Sequence, residues 1–317
     1  MHEDMEEFLE IMRGTNRAES TIRKYGAGLR QFTEWLESEE LDVYEVTPRD
    51  IQRFLGHLKA DRGFAGKTIR QRFTAVSLFY GDREIQNPDF QDPTEDIKIG
   101  DYASRKSKQE EHTGQKHVWL TEDEISQLVN NVPAPSLRNR LLILFQYFTG
   151  LRRQEVVDVK LSDLDRTERE VRVRGKHDRV HTARWQPKLD ALLSAWLDGG
   201  YREASPYAAD SEYLFLTNWT DQMSGLQVNR VVKETAENAG IQEVLYTDAA
   251  GRDRHKVTSH TLRHSFAMHF LQDGGSLGDL QNLLAHSSVK TTEVYGEILD
   301  ERAKEAYKKF SPDIRIE

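Results

Sequence analysis

The chain has 317 residues, a net charge of −9 and no cysteine. This length allows two domains of ordinary size, each able to bury its own core. The absence of cysteine excludes disulfides, thiolate metal ligands and a cysteine nucleophile. No apolar run reaches the roughly 18 residues that span a bilayer. The first residues are acidic, which is the wrong charge for a secretory signal, so we expect a cytoplasmic protein without a membrane partner.

Residues 1–100 are predicted to form a helical domain. Ser20 is a candidate N-cap for a helix with an aromatic-rich apolar face. Thr47, which is followed by proline, begins a second helix, and Lys67 opens a third. Asn87, again followed by proline, ends the helical pattern.

The second half of the chain has the composition of a separate domain. Residues 101–117 contain one aromatic and no aliphatic side chain larger than alanine, which is typical of a linker. Thr121, with glutamate three residues later, predicts a helix start by a capping box. An apolar helix is expected at 137–149 and a β-hairpin at 170–184. We therefore assign residues 118–317 to a second, mostly helical domain.

Basic residues concentrate in two stretches of this acidic chain. Residues 49–72 hold seven basic residues against two acidic ones, and residues 166–184 hold seven against three. Phosphate binding rests on Lys and Arg, so such patches favour nucleic acid despite the negative total. A charge run by itself is more often a solvated face, and the motifs of the second domain decide between the two interpretations.

Six residues along the second domain are typical of phosphodiester cleavage without a metal. Cleavage passes through a phosphorane whose extra negative charge is stabilised by the two-pronged, permanently charged guanidinium group of arginine. A lysine at a hairpin tip can protonate the 5′ alkoxide that leaves, and a tyrosine can serve as the nucleophile. The six candidates are, in chain order, Arg152, Lys176, His260, Arg263, His286 and Tyr295.

In order and spacing, this set resembles the tyrosine recombinases, the phage-integrase and Xer-like site-specific DNA recombinases. The first arginine follows Thr-Gly-Leu, a lysine lies in a predicted hairpin, His-x-x-Arg opens a helix, and the tyrosine comes 9 residues after the last histidine. The other intervals are 24 residues from Arg152 to Lys176 and 23 from Arg263 to His286. The chain departs from the family where Ala285 replaces a glycine and where histidine replaces the second glycine of Gly-Lys-Gly.

The resemblance covers nearly the whole chain and implies a fold. It implies a mainly α-helical protein with an N-terminal SAM-like, core-binding domain that clamps DNA. A catalytic domain of the DNA breaking-rejoining enzyme fold follows, α-rich with a small β-hairpin or sheet, and it ends in a tail at 297–317. In the family such a tail docks on a neighbouring protomer, whereas packing within its own chain is the alternative.

The resemblance also implies a mechanism and partners. Tyr295 forms a 3′-phosphotyrosyl link, His260 assists proton transfer at this nucleophile, and Arg263 binds the scissile phosphate. Glu155 supports Arg152 from a second layer. The enzyme works on double-stranded DNA carrying specific recombination sites, as a homotetramer and through a Holliday junction. It needs no ATP, metal or other cofactor, although an accessory recombination protein can take part.

The basic stretches supply candidate DNA-binding residues, and two other functions stay open. The DNA-binding candidates are Lys67, Arg70, Arg72, Arg172, Arg174 and Arg179. The first alternative is a type IB topoisomerase-like enzyme, which has the same residues but relaxes supercoils as a monomer. The second is a DNA-binding relative without catalysis, which binds its sites and forms no covalent adduct.

Overall fold

The structure is a computed structural model. The structure describes residues 1–15, 17–103, 118–175, 180–248 and 251–285. The chain divides into two compact units, the first made of Met1–Gly114 with Tyr246–Arg254 and the second of Gln115–Leu245 with His255–Glu317.

Long helices dominate the described part of the first unit, as the sequence predicts. They are α1 (Glu3–Arg13), α2 (Glu19–Ser38), α3 (Pro48–Ala60) and α4 (Gly66–Gln86), followed by a 3₁₀ turn at Ile99–Asp101.

Of the two N-caps predicted in the first unit, one is confirmed and one is wrong. Thr47 caps α3 as predicted, because its side chain accepts from the backbone N–H of Asp50 while its own N–H donates to the Asp50 carboxylate. The prediction of Ser20 as the N-cap of α2 is wrong. Ala18 holds that position without a side-chain cap, and Ser20 lies within the first helical turn.

The first unit is built around an apolar core with many aromatic rings. Helix α2 packs against α4, and a Cβ built at Gly28 would lie only 3.0 Å from the Cβ of Ala75. The absent side chain therefore allows the two helices to approach closely. The fully buried Tyr80 donates its hydroxyl to the carbonyl of Val43 at 2.8 Å, which satisfies its one polar group.

The second unit is also mainly helical. Its helices are α5 (Glu122–Asn130), α6 (Ser136–Thr149), α7 (Arg153–Val157), α8 (Asp190–Leu197), α9 (Gly225–Asn238), α10 (Ser259–Gln272) and α11 (Leu277–Leu283). Short 3₁₀ turns lie at Leu161–Asp163 and Pro187–Leu189. The predicted capping box at Thr121 is confirmed at the start of α5.

Two small antiparallel sheets complete the fold. Strands β1 (Leu164–Asp165), β2 (Glu170–Arg174) and β3 (Val180–Arg184) form the first sheet in that order, and β4 (Val244–Thr247) pairs with β5 (Asp253–His255). The strands of the predicted hairpin are confirmed as β2 and β3, whereas residues 176–179 of its turn lie outside the described residues.

Helices α6 and α10 form the centre of the second unit. They pack against each other, and Gln146 on α6 donates to the hydroxyl of Ser259 on α10 at 2.5 Å and to the carbonyl of Leu151 at 3.2 Å. This buried amide ties the end of one helix to the start of the other. No helix in the described part of the chain is long and apolar enough to cross a bilayer.

Candidate active site

The position of Arg152 follows from the end of helix α6. Gly150 terminates that helix with φ +62°, a left-handed conformation that favours glycine. A Cβ at this position would lie 2.5 Å from the ring of Phe266 and 2.8 Å from the side chain of Leu284. Glycine is therefore required both for the turn and for the packing around it. Arg152 follows this turn and is the N-cap of α7.

Glu155 holds Arg152 through two hydrogen bonds. Its carboxylate accepts from the backbone N–H of Arg152 at 2.7 Å and from the guanidinium Nη1 at 2.7 Å. The side chain of Glu155 is 6% exposed and that of Arg152 is 34% exposed. Within the described residues, Nε and Nη2 of Arg152 donate no hydrogen bond, so the guanidinium keeps donors for a ligand.

Arg263 enters the same cluster from the second turn of α10. Its guanidinium donates to the carbonyl of Gly150 at 2.7 Å and to the carbonyl of Leu284 at 2.8 Å. It lies 3.7 Å from the carboxylate of Glu155, and both side chains are 6% exposed. Arg263 thus connects the end of α6, the end of α11 and the acid that holds Arg152.

The cluster formed by Arg152, Glu155 and Arg263 carries a net positive charge. Burial raises the pKa of Glu155, but the hydrogen bonds from Arg152 and the charges of Arg152 and Arg263 outweigh burial, so that its pKa is lowered. The carboxylate is therefore ionised at neutral pH, and two guanidinium groups share one carboxylate. Such a site is suited to an anion, and the fork of an arginine matches the oxygens of a phosphate.

His260 lies on the first turn of α10, three residues before Arg263. The residue is exposed, in contrast to the buried arginine, and its ring centroid is 6.4 Å from that of His264. The helix is capped by Thr258, whose side chain accepts from the backbone N–H of Thr261. This cap fixes the first residue of the helix. It therefore also fixes the positions of His260 and Arg263 along the helix axis.

The remaining catalytic candidates lie outside the described residues. They are Lys176, His286 and Tyr295, and the tail at 297–317 also lies outside the described part of the chain. The residue before His286 is described: Ala285 adopts φ +47°, in the left-handed region where the family's usual glycine is favoured. The alanine adopts the backbone conformation that a glycine would adopt at lower cost.

The candidate DNA-binding residues differ in their surroundings. Arg172 and Arg174 are exposed on the outer side of strand β2, and Lys67 is exposed at the start of α4. Arg70 donates to the carbonyl of Ala103, and Arg72 donates to the carbonyl of Lys24. Arg179 lies outside the described residues.

His181 is a neighbour of the cluster that the sequence analysis did not identify. It lies on β3 opposite Val173, and both of its ring nitrogens are buried without a hydrogen-bond partner among the described residues. The charges of Glu155, Arg263 and Arg152 all act on it. The one sequence signal is the histidine's place in the strand alternation, two residues before Ala183, where an apolar side chain is expected.

Family models match both parts of the chain. The model of the phage integrase family matches residues 118–302, and the model of the phage integrase N-terminal SAM-like domain matches residues 5–85. The first match includes the cluster and all six catalytic candidates.

Similar proteins match over almost the full length. The chain is 30% identical to tyrosine recombinase XerA of Pyrococcus furiosus over 315 residues, which covers 96% of this chain and 92% of that protein. It is 29% identical to tyrosine recombinase XerD of Yersinia pestis over 317 residues, with 97% of each chain covered. The crystal structure of XerH site-specific recombinase bound to its difH substrate has a similar fold, with a TM-score of 0.69 at 22% identity, and the match covers 94% of this chain and 83% of that one.

Proposed function

The chain belongs to the phage integrase family, and from this premise we propose that Tyr295 is the nucleophile with which it breaks and rejoins DNA. The enzyme is a site-specific tyrosine recombinase, in line with the tyrosine recombinases XerA, XerC and XerD that it matches. The order and spacing of the six candidate residues support the assignment of the individual roles.

In the cleavage step, the phenolic oxygen of Tyr295 bonds to the scissile phosphorus and the bond from phosphorus to the 5′ oxygen breaks. His260 takes the phenolic proton, which is necessary because the unperturbed pKa of tyrosine is about 10. Lys176 gives a proton to the departing 5′ oxygen. Arg152, Arg263 and His286 hold the non-bridging oxygens, and the product is a 3′-phosphotyrosyl link with a free 5′ hydroxyl.

Rejoining is the reverse reaction with a different 5′ hydroxyl. The hydroxyl of the partner strand attacks the phosphotyrosyl phosphorus and releases the tyrosine, so the energy of the broken bond is conserved. Two successive exchanges pass through a Holliday junction. This chemistry requires neither ATP nor a metal ion, because the phosphoryl charge is met by side chains.

The cluster of Arg152 with the buried Glu155 and Arg263 is the observation that supports this proposal most strongly. Removing one partner from a buried ion pair is strongly destabilising, so a net cation held at this site is a costly arrangement unless an anion binds there. The two arginines come from places 111 residues apart in the sequence and share one carboxylate.

The substrate of the proposed reaction is double-stranded DNA with specific recombination sites. Residues 1–100 and the exposed Arg172 and Arg174 contact its backbone, and residues 118–317 carry out the chemistry. The active form is a homotetramer on two duplexes, joined through the tail at 297–317, and an accessory recombination protein can regulate it. We expect this reaction to take place in the cytoplasm.

Recombination accounts for the comparisons better than relaxation of supercoils does. The two relatives and the solved structure named above are recombinases, and the resemblance includes the N-terminal SAM-like domain. A chain that binds DNA without catalysis would have no need for the complete set of six candidates.

The experiment that tests the proposal is a suicide-substrate assay. Nicked duplexes drawn from the DNA that flanks the protein's own gene are incubated with the unmodified chain and with Tyr295→Phe, and the products are separated on a denaturing gel. We expect a covalent protein–DNA band with the unmodified chain alone. Tyr246→Phe, a tyrosine outside the site, serves as the matched control and should keep the band.

The other outcomes of this assay are equally informative. A band that persists in Tyr295→Phe shows that another residue is the nucleophile. Binding without a band in either protein favours the DNA-binding relative that lacks catalysis. Relaxation of supercoiled plasmid without strand exchange between two sites favours the topoisomerase-like alternative.

A further inference from the structure

His181 occupies the buried side of strand β3. In this strand Val180 is 56% exposed and Ala183 is 1% exposed. His181 pairs with Val173, which is 3% exposed, so the imidazole lies on the same inner side of the sheet as this valine. A β-branched apolar residue is the usual occupant of such a position.

The two ring nitrogens of His181 are shielded from solvent at a cost. Neither ring nitrogen has a hydrogen-bond partner among the described residues, and both are shielded from solvent. A neutral imidazole has one donor and one acceptor, and burying such groups unpaired is unfavourable. An unpaired polar group in a native interior calls for an explanation such as strain, catalysis or a missing ligand.

The charges of three cluster residues act on this histidine. Burial lowers the pKa of His181, the carboxylate of Glu155 raises it, and the guanidinium groups of Arg263 and Arg152 lower it. Two of these groups come from α7 and its N-cap, and the third comes from α10. The net effect keeps the imidazole neutral in the free protein.

A bound phosphate changes this balance. The cluster carries one net positive charge when His181 is neutral, because two arginines oppose one glutamate. A phosphodiester adds one negative charge, and the phosphorane formed during cleavage adds another. The added negative charge offsets the two guanidinium groups and therefore makes the imidazolium more favourable when DNA is bound than in the free protein.

We propose that His181 is a positioning residue of the phosphate site. When a DNA phosphate binds to Arg152 and Arg263, the imidazole takes up a proton from solvent and donates a hydrogen bond to Glu155. The Nη1 group of Arg152, which Glu155 holds in the free protein, then becomes available to the phosphate. This inference rests on the proposed function, because it requires a phosphate at the cluster.

The test compares two variants with a matched control. His181→Val removes the unpaired nitrogens and places a β-branched residue, which favours strands, opposite Val173. His181→Asn keeps a polar group that cannot ionise. His255→Gln is the control. Nδ1 of His255 on β5 is also buried without a hydrogen-bond partner in the described part of the chain, but His255 lies outside the cluster. Each protein is mixed with the nicked duplex that gives an adduct with the unmodified chain, and the single-turnover cleavage rate is followed from pH 5.5 to 8.5.

We expect opposite effects of His181→Val on stability and on cleavage. Its midpoint of thermal unfolding should rise by a few degrees, because unpaired buried nitrogens are removed. Its cleavage rate at saturating DNA should fall about tenfold near pH 6.5, the usual scale for a residue that orients a ligand-holding group. The rate of the unmodified chain should decline toward alkaline pH as His181 loses its proton, and both variants should lack this decline.

The outcomes separate this inference from the proposed function. If His181→Val keeps the full rate, or if its pH profile runs parallel to that of the unmodified chain, the positioning role is wrong although adducts form. A rate loss of equal size in His255→Gln also overturns it, since the effect is then not specific to the cluster. If the unmodified chain forms no adduct, the proposed function itself fails, and this inference fails with it.

Discussion

The two units of the chain bury very different side chains. In the described part of the first unit, Thr94 is the one buried residue of polar type, and the core is otherwise apolar and aromatic. The described part of the second unit buries thirteen polar or charged residues, among them Glu155, Arg202, Arg263 and His269. Burying such groups costs free energy unless each is paired. The described core of the first unit is therefore almost wholly apolar, whereas the second unit also buries polar and charged groups that folding must pair.

A second buried arginine shows that burial by itself does not indicate chemistry. Arg202 is 3% exposed, and its guanidinium donates to the carbonyls of Ala208, Ser211 and Tyr213. It fastens a loop of the second unit. Arg263 is 5% exposed and also binds two carbonyls, but it shares a carboxylate with a second arginine.

The largest combined effect on stability and cleavage is expected from replacing Arg263 with alanine. Arg263→Ala should lower the free energy of unfolding by about 3–5 kcal/mol, because it breaks a buried pair. It should also slow cleavage by about 10²- to 10³-fold, because a donor to the phosphorane is lost. Urea unfolding and single-turnover cleavage of a nicked duplex measure the two effects.

Arg202→Ala is the control for this prediction. It should destabilise the protein on a similar scale and leave the cleavage rate of the folded enzyme within about twofold, since among the described residues Arg202 donates its hydrogen bonds to loop carbonyls. An equal loss of cleavage in both variants would show that Arg263 acts through stability and not through the phosphate.

A smaller effect is expected from adding a methyl group at a glycine in each unit. Gly150→Ala should cost about 2–5 kcal/mol, because the left-handed conformation and the overlap with Phe266 both oppose a Cβ. Gly28→Ala should cost less than about 2 kcal/mol, because its tighter contact with Ala75 is offset by a better helix propensity. Thermal and urea unfolding give both values.

The rate of cleavage also distinguishes the two glycine variants. Gly150→Ala should also slow cleavage, because the carbonyl that holds Arg263 shifts, whereas Gly28→Ala should not. Equal costs of unfolding in the two variants would mean that the site is no more tightly constrained than the helical core.

The smallest effect on stability is expected from a change of pH. Burial lowers the pKa of His269 against the raising influence of Glu122, Asp273 and a backbone hydrogen bond, and the pKa of His181 is lowered as well. Below an unfolded pKa of about 6.5 the unfolded chain binds protons that the folded state resists, so stability is present above that pH and is lost as pH falls. The slope is at most about 1.4 kcal/mol per pH unit for each histidine.

Both histidines belong to the second unit, so acid should weaken that unit first. Hydrogen exchange, resolved along the chain between pH 7 and 5.5, should show earlier loss of protection in the second unit than in the first. His269→Gln should flatten the pH dependence without changing cleavage. A uniform loss of protection in both units would contradict this assignment.

The helices and the list of candidates could be read from the sequence because they depend on local patterns. The capping boxes at Thr47 and Thr121 satisfy backbone groups within the same turn, so residue types at fixed spacing predict them. By contrast, the predicted start of α2 at Ser20 was wrong, because the true N-cap, Ala18, has no side chain that could indicate a cap. Motif order identified the family, which the matching family models confirm.

The sequence by itself determined the helical character of both units, the residue types of the site and their order. Only the tertiary structure decided that Arg152 and Arg263 share Glu155 and that Gly150 supplies a carbonyl to Arg263. It also decided that the ring nitrogens of His181 are shielded from solvent and feel the charges of these residues. The physical reason is the separation along the chain of the residues that interact. A cap or an apolar stripe is complete within a few residues, whereas the charge, burial and pairing of a site residue depend on groups that folding brings together from distant parts of the chain.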